Sequence, residues 1–447
     1  MSDNQTEGGV DIELVSAIAE ELIQKLDGLV QFETKFPATV SVAAPELDAW
    51  QWLNANQSQT RVVWSCRDGS EIVAGVGAAA NVELNANGSA SECIASCREL
   101  IGGNTELKFF GGFSFDGSDS WQSFGAGRFV IPRLLLSRGE LTLAVMNAED
   151  VAKARAELQQ IRCEAEPIAD PIPAPVGKSY TPTVDGWQSQ IDEALSLIRS
   201  EVLEKIVLSR KATLDFDAPL NPIALLQRLK ETTHDCYVFC FDFSSSNAFL
   251  GATPERLFLR KERQLQSEVV AGTRARGETP EADEKLAIEL LTSDKDQREH
   301  DIVRKSIRQK LHKFVDYLDV DTQASILRLA SKQHLRSNVQ GELKEGVDDG
   351  LLLQRLHPTP AVGGYPTENA LPEIARIEPF NRGWFAAPIG WISCDSVEFA
   401  VGIRSGLIEG KSLSLYSGAG IVRGSDPDQE WLEVENKIQD FISVLGQ

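Results

Sequence analysis

Glu430 and Glu433 stand three residues apart in GSDPDQEWLEVENK, residues 424–437, and Asp296 and Glu299 stand three apart in LLTSDKDQREHDIV, residues 290–303. On helical backbone that spacing puts each pair on one face. Two acidic pairs facing one another repel unless a cation lies between them. Oxygen-only donors, with no histidine or cysteine beside them, suit a hard ion. A sparse set that leaves room for water and substrate oxygens suits Mg²⁺. Either pair taken singly reads more plainly as a solvated stripe of charge.

Other sites have less support. In SGAGIVRG, Gly418 and Gly420 are followed by a third glycine, Gly424, one position too late for a dinucleotide fingerprint. Glycine-rich backbone after a strand can still present N–H groups to a carboxylate. The histidines, His234, His300, His312, His334 and His357, include no H-x-x-x-H pair, so zinc is not indicated. The seven cysteines include no C-x-x-C pair and read as reduced structural thiols.

The elements that must carry these residues can be read from periodicity. Asp426 and Pro427 open a helix in which Trp431, Val434, Ile438, Phe441, Ile442 and Leu445 form one apolar stripe, with Glu430, Glu433 and Lys437 beside it. Trp187, Ile191, Leu195, Ile198 and Val202 mark another helix, ending near Glu204. IVLSRKATLDF follows as a strand. Then come a helix at NPIALLQRLKET, strands at CYVFCFDF and NAFLGATP, and one long helical stretch over about 281–316. The last third holds strands at GWFAAPIGWI, VEFAVGIRSGLIEG and SLSLYSGAGIV. Residues 1–165 alternate short apolar runs with turn residues, a strand-rich pattern with few helices. The stretch 166–183, EPIADPIPAPVGKSYTPT, is interrupted by five prolines and predicts an extended connection to residues 184–447. Helices and strands mix without regular βαβ alternation, so the expected class is α+β.

The chain has 447 residues, 42% hydrophobic and 25% charged, as suits a globular protein with a sizeable core. No apolar run approaches a membrane span, and MSDNQTEGG is no targeting segment, so a cytoplasmic protein is expected. The formal net charge of −22 repels nucleic acid and anionic membranes, and an anionic small substrate would need a local positive centre.

From about 187 to 445 the chain resembles the chorismate-utilising enzymes. The resemblance is carried by EKIVLSR, LGATPERLFLR, EVVAGTRARG, DKDQREHDIV, HPTPAVGG, RGWFAAPIG, IRSG and SGAGIVRGSDPDQEWLEVENK. The N-terminal WSCRDGSEIVAGVGAA and WQSFGAGRFVIPRLLL resemble the start of the menaquinone-type isochorismate synthases. The family fold so implied is a large antiparallel β-sandwich covered by helices, one intertwined unit in which the proline-rich stretch joins subdomains. The resemblance implies chorismate as substrate and Mg²⁺ held by Glu299 and Glu430, with Glu433 and Asp296 nearby. It gives Gly272, Thr273, Arg404, Gly418, Gly420 and Lys437 to the substrate carboxylates, and places His334, Thr359 and Phe385 near the ring.

Two positions decide the branch. Lys205 stands where water-using members have a lysine and ammonia-using members a glutamine; a lysine lodged in a pocket can take a proton from water. Glu255, in ATPERLF, matches the general acid that protonates the departing hydroxyl of ring carbon 4. Ala271 replaces the lysine through which aminodeoxychorismate synthases form a covalent intermediate. The implied activity is isochorismate synthase, a hydroxymutase acting as monomer or homodimer without a glutaminase subunit. A salicylate synthase uses the same pair and then eliminates pyruvate, but such relatives tend to have tyrosine at Phe385. A catalytically silent chorismate-binding subunit would need neither Lys205 nor Glu255.

Overall fold

The computed structural model describes residues 12–31, 34–84, 88–162, 167–168, 172–244 and 247–446, so Cys163 and the N-terminal MSDNQTEGG lie outside the described residues. Two large antiparallel sheets form its frame. The first runs in the order Ala38–Ala43, Glu140–Val145, Leu134–Ser137, Ile72–Val76, Arg61–Ser65, Tyr237–Ser244, Asn247–Thr253, Ser405–Glu409, Ser412–Ile421, Lys205–Asp215, Gly364–Tyr365. The strand Gly177–Thr181, the end of the proline-rich stretch, pairs with Lys205–Asp215. The second sheet runs Val315–Val320, Lys332–Leu343, Gln264–Ala275, Arg256–Lys261, Ser396–Val401, Pro388–Ile392, Phe109–Phe113, Gly127–Ile131, Ala80–Leu84. Strands from before and after residues 166–183 thus share both sheets and meet at one junction in each: Arg61–Ser65 pairs with Tyr237–Ser244, and Phe109–Phe113 with Pro388–Ile392.

The sheets pack face to face over an aromatic core. Phe239, Phe241 and Phe249 from the first sheet meet Phe129, Phe258 and Phe399 from the second, as alternating inward side chains of sandwiched sheets must. Trp384, fully buried, sits at its edge against Phe124 with ring centroids 5.1 Å apart; such edge-on contacts add about 0.5–1.5 kcal/mol each beyond buried area. The outer face of the first sheet is covered by the helices Ile12–Gln31, Ala49–Ala55, Asp150–Leu158 and Pro222–Thr232. None of the described helices is long and apolar enough to cross a membrane.

The structure departs from the periodicity reading in several places; VEFAVGIRSGLIEG, for one, is two strands, Ser396–Val401 in the second sheet and Ser405–Glu409 in the first. The helical stretch near 281–316 is two helices, Pro280–Thr292 and Asp294–Leu311, because Ser293 leaves helical backbone and its hydroxyl caps Asp296 N–H. In GWFAAPIGWI only Pro388–Ile392 is strand; the preceding residues turn sharply, with Gly383 and Ala386 at positive φ. The N-terminal region is strand-rich, but it also carries the amphipathic helix Ile12–Gln31, whose Leu22 and Leu26 are fully buried.

Candidate active site

A cavity of about 230 Å³ opens where the Lys205–Asp215 and Ser412–Ile421 strands of the first sheet face the Gln264–Ala275 strand of the second, beneath Asp294–Leu311 and Pro427–Ile442. Twelve of the residues singled out from the sequence line it: Glu255, Gly272, Thr273, Asp296, Glu299, His334, Phe385, Arg404, Gly418, Gly420, Glu433 and Lys437. Lys205, Thr359 and Glu430 do not line it, but each touches a residue that does: Glu299, Ala361 and Lys295.

The local folding of each wall follows from its residues. Gly272 is the extra residue of a bulge, since Ala271 pairs with Leu335 and Thr273 with His334. Its φ of +74° favours glycine, and a side chain there would begin a tight 3.2 Å from Asp296 Cβ. Gly420 lies opposite Val207 in the strand pair, and a Cβ there would fall 2.7 Å from Glu299 Oε1 and 2.8 Å from Lys205 Cε. The bare backbone at Gly420 therefore leaves the space that the Lys205 side chain fills. Thr359 does not face the cavity; its hydroxyl accepts from Ala361 N–H at 3.2 Å and shapes the turn that brings Ala361 and Val362 to the wall. Phe385 stacks on Tyr416 with centroids 5.3 Å apart, making a flat apolar side for a ring. Ala386 and Arg404 both line the cavity at positive φ, 58° and 48°; such backbone persists where the surroundings over-determine it.

His334 is fixed in one tautomer. Its Nδ1 lies 3.0 Å from the Gly272 carbonyl, which can only accept, so Nδ1 carries the proton. Nε2 is then free to accept from the Arg404 guanidinium at 2.7 Å. Burial, and then the nearby Arg404 charge, hold the imidazole pKa well below its ordinary value. Neutral His334 aims Arg404 into the cavity, with its one N–H proton turned to the Gly272 carbonyl.

The four acidic residues expected to hold Mg²⁺ are each paired with a basic side chain. Among the described residues no three carboxylate, imidazole or thiolate groups converge closely enough to hold a metal ion as they stand. Each carboxylate has instead turned to a cation: Asp296 to Arg274 at 2.8 Å, Glu299 to Lys205 at 2.9 Å, Glu430 to Lys295 at 3.0 Å and Glu433 to Lys437 at 2.7 Å. Lys437, expected on substrate carboxylates, also donates to Gly418 O at 2.9 Å. Yet the acidic field has a focus. Burial works against the Lys295 charge, but Glu430, Glu433 and Glu299 together outweigh it and raise its pKa. An ammonium thus occupies the place where three carboxylates want positive charge, and Glu430, raised by burial and then by Glu433, is short of it. An all-oxygen donor set around a stand-in cation fits a hard divalent ion.

Glu255 is different in kind. It sits wholly enclosed in the connection between Asn247–Thr253 and Arg256–Lys261, and burial, reinforced by Glu268, pushes its pKa up to about 8 against the pull of Lys205, Arg67 and Lys437. A carboxyl group that keeps its proton at neutral pH beside a cavity is equipped as an acid. Lys205 is fully buried at the start of its strand. Ala271 also lines the cavity, so no lysine amine enters from that position. Lys295, Arg274 and Tyr416 are wall residues that the sequence reading passed over, although Lys295 and Arg274 stand inside the motifs DKDQREHDIV and TRARG.

The sequence profile described as chorismate binding enzyme matches residues 24–446. The chain belongs to the chorismate-binding enzymes. Among these enzymes, isochorismate synthase MenF of Escherichia coli is 32% identical over 442 residues, 95% of this chain and 99% of that one. The solved structure of this menaquinone-specific isochorismate synthase superposes with a TM-score of 0.84 at 31% identity, covering 96% and 99% of the two chains. Isochorismate synthase MenF of Bacillus subtilis is 37% identical over 353 residues, 75% of this chain and 74% of its own. The chloroplastic isochorismate synthase 2 of Arabidopsis thaliana is 36% identical over 377 residues, 78% of this chain and 66% of the plant protein.

Proposed function

We propose that this chorismate-binding enzyme is an isochorismate synthase, which moves hydroxyl from ring carbon 4 to ring carbon 2 by addition of water and loss of the original hydroxyl. The observation that carries the reading is the enclosed Glu255, an acid protonated at neutral pH, in a cavity whose opposite wall hides Lys205 behind Gly420. Lys205 accepts the proton that the attacking water loses, and Glu255 gives its proton to the carbon 4 hydroxyl as it leaves. Arg404, aimed by neutral His334, and the backbone at Gly272, Gly418 and Gly420 hold the substrate carboxylates. Phe385 and Tyr416 flank the ring. Glu299, Glu430, Glu433 and Asp296 would hold Mg²⁺, which when bound supplies positive charge to a substrate carboxylate. Their present partners, Lys205 and Lys295 above all, must then give way. Release from Glu299 is also what frees the Lys205 amine for water.

The alanine at 271 and the phenylalanine at 385 support water addition without covalent catalysis and without onward pyruvate elimination. Chromatography of the products from purified protein, chorismate and Mg²⁺ in heavy-oxygen water tests the proposal. Isochorismate labelled at carbon 2 is expected. Salicylate with pyruvate, or isochorismate with unlabelled carbon 2, would overturn it.

A further inference from the structure

Glu255 is aimed through its backbone. Its N–H donates to Thr253 Oγ1 at 3.3 Å, that hydroxyl donates to Val401 O at 2.7 Å, and Val401 N–H returns to Glu255 O at 3.0 Å. The residues on either side are held by two charged groups to which the sequence reading gave no role. Arg67 Nη2 donates to Pro254 O at 2.6 Å, and Arg256 N–H donates to Glu268 Oε1 at 2.7 Å. Arg67 and Glu268 are themselves joined, Nη1 to Oε2 at 2.8 Å and Nη2 to Oε1. One ion pair therefore grips the chain immediately before and immediately after Glu255. Arg67 belongs to the turn between Arg61–Ser65 and Ile72–Val76, 187 residues before Pro254, and reaches it from the N-terminal part of the first sheet.

We propose that Arg67 and Glu268 are positioning residues for the reaction, a buried ion pair that fixes Glu255 in its proton-donating place. The inference rests on the reading of Glu255 as the acid. Two hydrogen bonds to a turn could be made by neutral groups at less desolvation cost; the Arg67 and Glu268 side chains are 15% and 4% exposed, and a pair this buried is weak evidence of stabilisation. Its charges matter to Glu255. The charged groups facing Glu255 are Glu268 from Gln264–Ala275, Lys205 from Lys205–Asp215, Arg67 from its turn and Lys437 from Pro427–Ile442, and Glu268 alone opposes ionisation. The pair thus positions Glu255, and its Glu268 member also helps Glu255 keep its proton.

The test uses the full chain with saturating chorismate and Mg²⁺, following kcat and KM across pH, with thermal unfolding of the same samples. Glu268→Gln should lower kcat about 10- to 100-fold with KM little changed, because the acid is misplaced. It should also move the alkaline fall in rate to lower pH, since the negative neighbour is gone. Arg67→Lys keeps the charge but loses the fork; kcat should fall similarly with the alkaline limb in place. Normal kcat in either folded variant overturns the proposal, as does a Glu268→Gln protein whose only change is a lower unfolding temperature. Should Glu268→Gln fail to fold, Arg67→Lys decides alone. Glu255→Gln run in parallel separates the two failures: full turnover there defeats the reading of Glu255 itself, whereas loss there with normal Arg67 and Glu268 variants defeats only the positioning pair.

Discussion

At the scale of single residues the site is a balance of buried charges, and the balance predicts distinct phenotypes. Glu255, with its pKa near 8, is protonated and competent below that pH, so turnover should fall as pH rises through about 8. Glu255→Gln should lose about 100- to 10,000-fold in kcat, the usual worth of a positioned acid, and still bind chorismate. The same elevated pKa has a stability consequence: below the ordinary value of 4.5 the proton is on in both folded and unfolded chains, and as pH rises toward 8 only the unfolded chain releases it. The unfolding temperature of the wild type should therefore drop more than that of Glu255→Gln over this window, as calorimetry at several pH values would show. The carboxylates differ in another way. Glu299→Gln leaves the fully buried Lys205 without its counter-ion, a change worth about 3–5 kcal/mol in comparable buried pairs. Glu430→Gln instead releases Lys295, which is 39% exposed and can turn to water. Both should lose Mg²⁺-dependent turnover, and denaturant unfolding should find Glu299→Gln clearly the less stable.

At the scale of elements, the strand pair Lys205–Asp215 with Ser412–Ile421 sets how Lys205 meets Glu299. Gly420→Ala places a methyl group 2.7 Å from Glu299 Oε1 and 2.8 Å from Lys205 Cε, so these two side-chain ends must shift. A shift of about 1 Å in a reacting group can cost on the order of 100-fold in rate. Gly420→Ala should thus fold, bind chorismate and show a kcat lower by about that factor, measurable from the steady-state rate of product formation. The helix Pro427–Ile442 was readable because its cap and apolar stripe agree: Asp426 accepts from Asp428 N–H and Gln429 N–H, and Val434, Ile438 and Phe441 are buried. The break at Ser293 was not, because no glycine or proline marks it. A serine inside an apparently continuous helical pattern can either continue the helix or turn its hydroxyl to the backbone as a cap, and local spacing does not distinguish the two.

For the whole molecule, the two sheets make the chain mutually dependent. Removing residues 1–183 would strip Arg61–Ser65 from Tyr237–Ser244 and Phe109–Phe113 from Pro388–Ile392, exposing two apolar strand edges and taking Arg67 from the site. The fragment 184–447 should fail to unfold cooperatively and should aggregate, as circular dichroism and size-exclusion chromatography would show. The amino-acid sequence by itself determined the mixed α and β class, the strands and helices with strong periodicity, and the family, together with the acidic pairs, Lys205 and Glu255. Those depend on local spacing and on long motifs, which survive in one dimension. Only the tertiary structure decided that each carboxylate is already neutralised by its own lysine or arginine, that Lys295 sits at the focus of the acidic field, and that His334 is a neutral acceptor. It alone joined Arg67 and Glu268 around Glu255. Coulomb and desolvation energies depend on distance and burial in three dimensions, and residues far apart along the chain carry no mark that they will meet.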